Sequence, residues 1–132
     1  MKTVEQILRA KGSAFWSVTP DAMVYEALRL MAEKDVGALL VLDTQAQLVG
    51  IISERDYARK VILKGKSSLD TPVREIMTQA VVSVRPDRTV EDCMALMTAR
   101  RVRHLPVLAG GQVLGVVSIG DLVKASLDEK DF

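Results

Sequence analysis

Two short stretches carry the residue types that could do chemistry, and they carry them at one spacing: Gly50-Ile51-Ile52-Ser53-Glu54-Arg55-Asp56 and Gly115-Val116-Val117-Ser118-Ile119-Gly120-Asp121. Each reads as an apolar strand running into a Ser that caps the next helix, with an Asp three residues on reaching back to the same helix start. Binding is the second chemistry open to this arrangement. A helix N-terminus offers unpaired N–H groups and a positive dipole end to a phosphate, and a carboxylate, which only accepts, suits the vicinal hydroxyls of a ribose.

The elements that must position these turns are themselves repeated. Ser17-Val18-Thr19-Pro20-Asp21 aligns with Ser83-Val84-Arg85-Pro86-Asp87, and Val24, Leu30, Met31, Val36, Leu39, Val41 and Leu42 align with Val90, Leu96, Met97, Val102, Leu105, Val107 and Leu108. Self-similarity of this extent marks a tandem of two units. Each opens on a short amphipathic helix, at residues 4–8 and 73–77, followed by an extended piece, at 16–18 and 81–84, that a Pro-Asp turn ends. Next comes a helix whose apolar residues, Val24, Ala27, Leu28 and Met31 or Val90, Cys93, Met94 and Met97, keep the i, i+3, i+4, i+7 spacing of one buried face. Two apolar runs close together predict an antiparallel hairpin, at 38–42 with 48–52 and at 105–108 with 113–117. Final helices are predicted at about 54–63 and 119–127. The fold class is α+β, β-α-β-β-α twice, divided into residues 1–66 and 67–132 with the polar stretch 64–71 as linker. A three-stranded sheet with one bare apolar face needs covering, so the units are expected to pack about a pseudo-two-fold axis with clefts between them. The tail, 128–132, is expected to fray.

Composition narrows the function. With 48% apolar residues the chain can build a sizeable core, and its 18 basic and 17 acidic residues leave a net charge of +1. No strong positive field speaks for nucleic acid or an anionic membrane. No apolar run reaches the length of a membrane span, and Glu5 stands where a signal peptide would be apolar, so a cytoplasmic location is expected. One Cys and one His make neither a disulfide nor a clustered metal site. Nucleophile, base and orienting group stand at no recognisable spacing either, so an enzyme is not expected.

The duplicated G-h-h-S-x-x-D segments, the Pro-Asp before each long helix, and Arg103-His104-Leu105-Pro106-Val107 together resemble a tandem pair of cystathionine β-synthase (CBS) domains, a Bateman module, in the form of the stand-alone bacterial CBS-pair proteins. The resemblance covers residues 4–127. It implies a regulatory module that senses an adenosine-containing ligand, such as AMP, ADP, ATP, NAD or S-adenosylmethionine, in the cleft between the repeats. It also implies a homodimer and a regulated protein partner; the alternative is a dimeric interaction protein with vestigial clefts.

Carried over by position, the resemblance puts Asp56 and Asp121 on the ribose and Ser53 and Ser118 on phosphate. Adenine is expected against Val18, Thr19, Val36, Gly37, Ala38 and Ile52 in one cleft, and against Val84, Val102 and Val117 in the other. Phosphate charge is expected to be met by Arg55 in the first and by Arg103 or His104 in the second. Leu30 and Leu96, apolar beyond a single core stripe, are expected to serve the dimer.

Overall fold

In the computed structural model, which describes residues 2–130, the elements in chain order are α1 (Val4–Lys11), β1 (Ser17–Val18), α2 (Val24–Lys34), β2 (Ala38–Leu42), β3 (Leu48–Ser53), α3 (Glu54–Tyr57), α4 (Val90–Arg100), β4 (His104–Ala109), β5 (Gln112–Ser118) and α5 (Ile119–Lys130). This is the expected α+β content. Two compact units form, one of Trp16–Val81 and one of Met1–Phe15 with Val82–Phe132. The expected division between residues 66 and 67 is thereby redrawn, since each unit is completed by the segment that precedes the other repeat in the chain. The reason lies in the apolar residues of those leading segments. Val4, Ile7 and Leu8 are buried with Val90, Leu105, Val117 and Leu122, whereas Val73 and Ile76 are buried with Val24, Leu39 and Ile52.

In the Trp16–Val81 unit the sheet runs β1-β2-β3, with β1 parallel and β3 antiparallel to the central β2. α2 buries Val24, Ala27 and Met31 and ends at Asp35, whose left-handed φ of 55° lets its N–H reach the Met31 carbonyl. The β2–β3 turn is tied by Asp43, whose Oδ1 accepts from the N–H groups of Gln45 and Gln47. Residues 64–71, expected to be a linker, are stitched to the start of α2 instead. Tyr25 N donates to Ser68 O at 3.0 Å and Val24 N to Thr71 O at 2.8 Å, and the buried Thr71 donates its hydroxyl to Ser67 O. The helix expected over 54–63 is α for one turn, then a π turn at Ala58–Ile62, while the one expected at 73–77 is only a 3₁₀ turn, Val73–Glu75.

In the second unit α1 and α4 start with capping boxes, Thr3 with Gln6 and Thr89 with Asp92. They are joined where Val4 N donates to Arg88 O and Val90 N to Lys2 O. The β4–β5 hairpin turns on Gly110 and Gly111, with φ of 58° and 79°, the signs a two-residue type I′ loop requires. The strand expected at 81–84 is reduced to one parallel bridge, Val84 to Val107, leaving a two-stranded sheet. Pro106 accounts for this. Val84 N donates to Pro106 O and Leu108 N to Val84 O, but the next rung would need the N–H that proline lacks. In the other unit the aligned residue is Leu40, whose N–H donates to Trp16 O at 3.1 Å, and β1 forms.

Leu30 and Leu96 are half-buried against their own units' cores, so their apolarity is used within the chain. Of the tail expected to fray, residues 128–130 belong to α5, and residues 131 and 132 lie outside the described residues.

Candidate functional site

Both Ser-x-x-Asp turns form at the junction of a hairpin's second strand with the helix that follows, and both are capping boxes. In the first, Ser53 N donates to Asp56 Oδ2 at 2.9 Å, Ser53 Oγ donates to the same oxygen at 3.1 Å, and Asp56 N donates to Ser53 Oγ at 3.2 Å. The other carboxylate oxygen, Oδ1, holds the Lys60 ammonium at 3.0 Å, and Lys60 also donates to Ile76 O at 2.9 Å. Both oxygens of Asp56 are thus engaged, and its side chain keeps only 13% exposure.

The second turn is built alike and finished differently. Ser118 N donates to Asp121 Oδ2 at 2.8 Å and Asp121 N to Ser118 Oγ at 3.2 Å. The lysine here is Lys11, at the end of α1, which donates to the same Oδ2 at 2.7 Å and to Val116 O at 2.9 Å. Oδ1 of Asp121 takes no hydrogen bond among the described residues, and the side chain is 24% exposed. Burial opposes ionisation of Asp121, but the bonds from Lys11 and Ser118 outweigh it and hold the carboxyl below the usual range. The N–H of Ile119 is used by Arg103 O, and that of Gly120, a residue with no side chain to block it, lies open at the start of the twelve-residue α5.

Strand pairing decides which other expected residues join the turns. Ala38 lies opposite Ser53 and Gly37 O accepts from Glu54 N; His104 lies opposite Ser118 and Arg103 precedes it. Gly37, Ala38, Arg103 and His104 therefore border the turns. His104 is titrated down from its ordinary value, first by burial and then by Lys11 and Arg103, against the pull of Asp121, so it is neutral at pH 7. Arg55 is exposed on α3 and Arg103 is exposed beside its turn. Val18 pairs with Val41 and Val84 with Val107, in each case three residues along the strand from the turn, about 10 Å. Within the units, Val18 and Val84 are not gathered with the aspartates, while Thr19 follows β1 and accepts from Ala22 N. Ile52 and Val117 are wholly buried and Val84 nearly so, in the cores of their units, while Val36 and Val102 are half-buried against the same cores.

Sequence reasoning missed Lys11 and Lys60. Lys60 stands four residues after Asp56 on one helix, a spacing that brings side chains together, so it was legible. Lys11 is 110 residues from Asp121 and nothing in the sequence joins them. A groove of about 640 Å³ lies elsewhere in that unit, at the Leu108 end of β4, between Arg85, Arg88 and Leu96. Among the described residues no group of His, Cys, Asp and Glu could hold a metal ion, and no helix is long and apolar enough to cross a membrane.

Comparison with known proteins follows the repeat. The profile of the CBS domain family matches residues 12–63 and again 73–128. The chain is 41% identical to the mitochondrial CBS domain-containing protein CBSX3 of Arabidopsis thaliana over 136 residues, which take in 96% of this chain and 66% of that protein. This chain thus spans just under two thirds of that relative. It superimposes on a protein with CBS domains from Burkholderia ambifaria with a TM-score of 0.95 and 52% identity, covering 99% of this chain and 98% of that one. A CBS domain pair solved in complex with 5′-methylthioadenosine and S-adenosyl-L-methionine shares the fold at a TM-score of 0.86 and 23% identity, over 99% of each chain.

Proposed function

We propose that this chain, which belongs to the CBS domain family and carries the domain twice, is a regulatory module whose Asp121 turn binds an adenosine-containing ligand of the AMP, ATP, NAD or S-adenosylmethionine class. The observation that carries this reading is the open Oδ1 of Asp121 at the start of α5, with His104 paired opposite Ser118 and Arg103 preceding it. Vicinal hydroxyls fit the carboxylate, and an anionic group fits the helix start and the arginine. That a CBS pair of the same fold holds two adenosine-containing molecules supports the choice of ligand class. Ser118 contributes to the helix start, and no reaction is assigned to the site.

The test is calorimetry with AMP and 2′-deoxy-AMP. A hydrogen bond to a charged acceptor contributes about 1.5–3 kcal/mol, so the deoxy ligand is expected to bind about tenfold to a hundredfold more weakly. Asp121→Ala is expected to remove most of that preference and Asp56→Ala to leave it. Equal affinity for the two ligands, or no binding of AMP, ATP, NAD or S-adenosylmethionine, overturns the reading.

The Asp56 turn favours a second reading for its own unit. With Oδ1 on Lys60 and Oδ2 on Ser53, it serves as a helix cap, and Arg55 and Ser53 there belong to a vestigial site. Self-association as a homodimer is proposed through α5, where Ile119, Val123 and Leu127 recur every four residues and are 36%, 43% and 63% exposed. Hexameric CBS-CP12 protein, 29% identical and with a TM-score of 0.86, shows a larger assembly in a protein of this fold. A monomer in sedimentation at micromolar concentration would refute this.

A further inference from the structure

Asp56 and Asp121 occupy matching places in the two repeats and each holds a lysine, yet the lysines come from places that do not match. Asp56 takes Lys60, four residues on in the same helical segment. The position aligned with Lys60 is Ala125, buried in the core of its unit, and Asp121 takes Lys11 from the end of α1 instead. Aligning Val4, Ile7 and Leu8 of α1 with Val73, Ile76 and Met77 puts Ala80 where α1 has Lys11. Each unit therefore lacks the lysine at the position where the other has it, and each carboxylate is nevertheless met by one ammonium.

Capping does not call for that ammonium. The Thr89–Asp92 box starts α4 with the same reciprocal bonds, and no lysine meets Asp92 among the described residues. The Thr3–Gln6 box manages with a neutral amide. Among the described residues a lysine pairs with the carboxylate of the two Ser-x-x-Asp boxes, while Asp92 feels a cation only through the nearby Arg88, so direct pairing goes beyond what starting a helix requires.

Resting on the reading of the Asp121 turn as a nucleotide site, we infer that Lys11 is a specificity-determining residue there, one that lets a carboxylate made for a sugar tolerate a phosphate close by. A bare Asp121 would repel an anionic ligand at the start of α5. The Lys11 ammonium cancels that charge at 2.7 Å while leaving Oδ1 free for a hydroxyl. Two of its three donors are spent on Asp121 and Val116 O, and the third is available to a phosphate oxygen on a side chain that is 36% exposed. Since Lys11 belongs to α1, the charge selectivity of this turn is supplied by the leading segment of the chain.

The experiment is calorimetry of the full chain with AMP and with uncharged adenosine, for the wild type, Lys11→Met and Lys11→Arg. Lys11→Met is expected to weaken AMP on the order of tenfold and to move adenosine by less than about threefold. Lys11→Arg, which keeps the charge, is expected to restore most of the AMP affinity. An equal loss for both ligands would make Lys11 a structural support and overturn the inference, as would unaltered AMP binding in Lys11→Met. Both of those results leave the nucleotide reading standing, whereas a wild type that binds none of AMP, adenosine, ATP, NAD and S-adenosylmethionine removes that reading and this inference with it.

Discussion

The two Ser-x-x-Asp turns agree in sequence and in backbone bonds, and they differ in where each carboxylate finds its cation. At Asp56 the lysine is local and both carboxylate oxygens are engaged; at Asp121 it arrives from α1, shares Oδ2 with Ser118 N, and leaves Oδ1 open. The source of the lysine thus separates a cap with both carboxylate oxygens engaged from one with an oxygen left open. The same pair of units differs at Leu40 and Pro106, where one N–H decides whether a third strand forms. Repeats of one pattern diverge here through hydrogen-bond donors, not through the apolar framework.

The largest effect expected from breaking this comparison is that of Leu40→Pro, which makes the first unit like the second. It removes the N–H that holds Trp16 O and replaces a leucine only 1% exposed, so a loss of about 3 kcal/mol or more is expected. Urea unfolding measures the loss, and hydrogen exchange at Val18 should rise as β1 is released. An unchanged midpoint would show that β1 contributes nothing to its unit.

Next in size are the glycines that open each turn motif. A Cβ on Gly50 would lie 2.6 Å from Met77 Sδ and 3.1 Å from the Thr78 carbonyl oxygen, which is backbone and cannot swing away. A Cβ on Gly115 would meet Leu8 Cδ2 at 2.9 Å, the movable end of a side chain. Gly50→Ala is expected to destabilise by about 1–3 kcal/mol and Gly115→Ala by less. Denaturant midpoints in the reverse order would mean that α1 is held more rigidly against β5 than the 76–78 segment is against β3.

The smallest effect is a pH dependence near neutrality that falls on the Asp121 side, because His104 is the chain's one histidine. Its folded-state value lies below the ordinary 6.5, so the unfolded chain binds the proton more readily. The stability it contributes is complete above pH 6.5 and is lost as pH falls toward the folded value. Asp121, also lowered, adds a second loss below about 3.8 as the Lys11 pair is protonated away. His104→Gln should flatten the upper part of the stability profile and leave the lower; an identical profile in both proteins would count against a half-buried neutral imidazole.

By itself the sequence determined the parts whose physics is local or periodic. The amphipathic spacing of Val24, Ala27 and Met31, the paired apolar runs with their turns, and Ser53 with Asp56 or Ser118 with Asp121 three residues apart are short-range patterns, and each is realised in the fold. Pro106 carried a local signal too, its missing N–H, although the expectation of a third strand at 81–84 took no account of it. Tertiary structure alone decided the rest. Which core the helix of Val4, Ile7 and Leu8 would join is a choice between two alike apolar faces, and the chain joined it to the repeat that lies further along. From that choice follows the Lys11–Asp121 pair, since a contact between residues 110 apart has no signature in spacing and exists only because burying α1 carries its last residue to the start of α5.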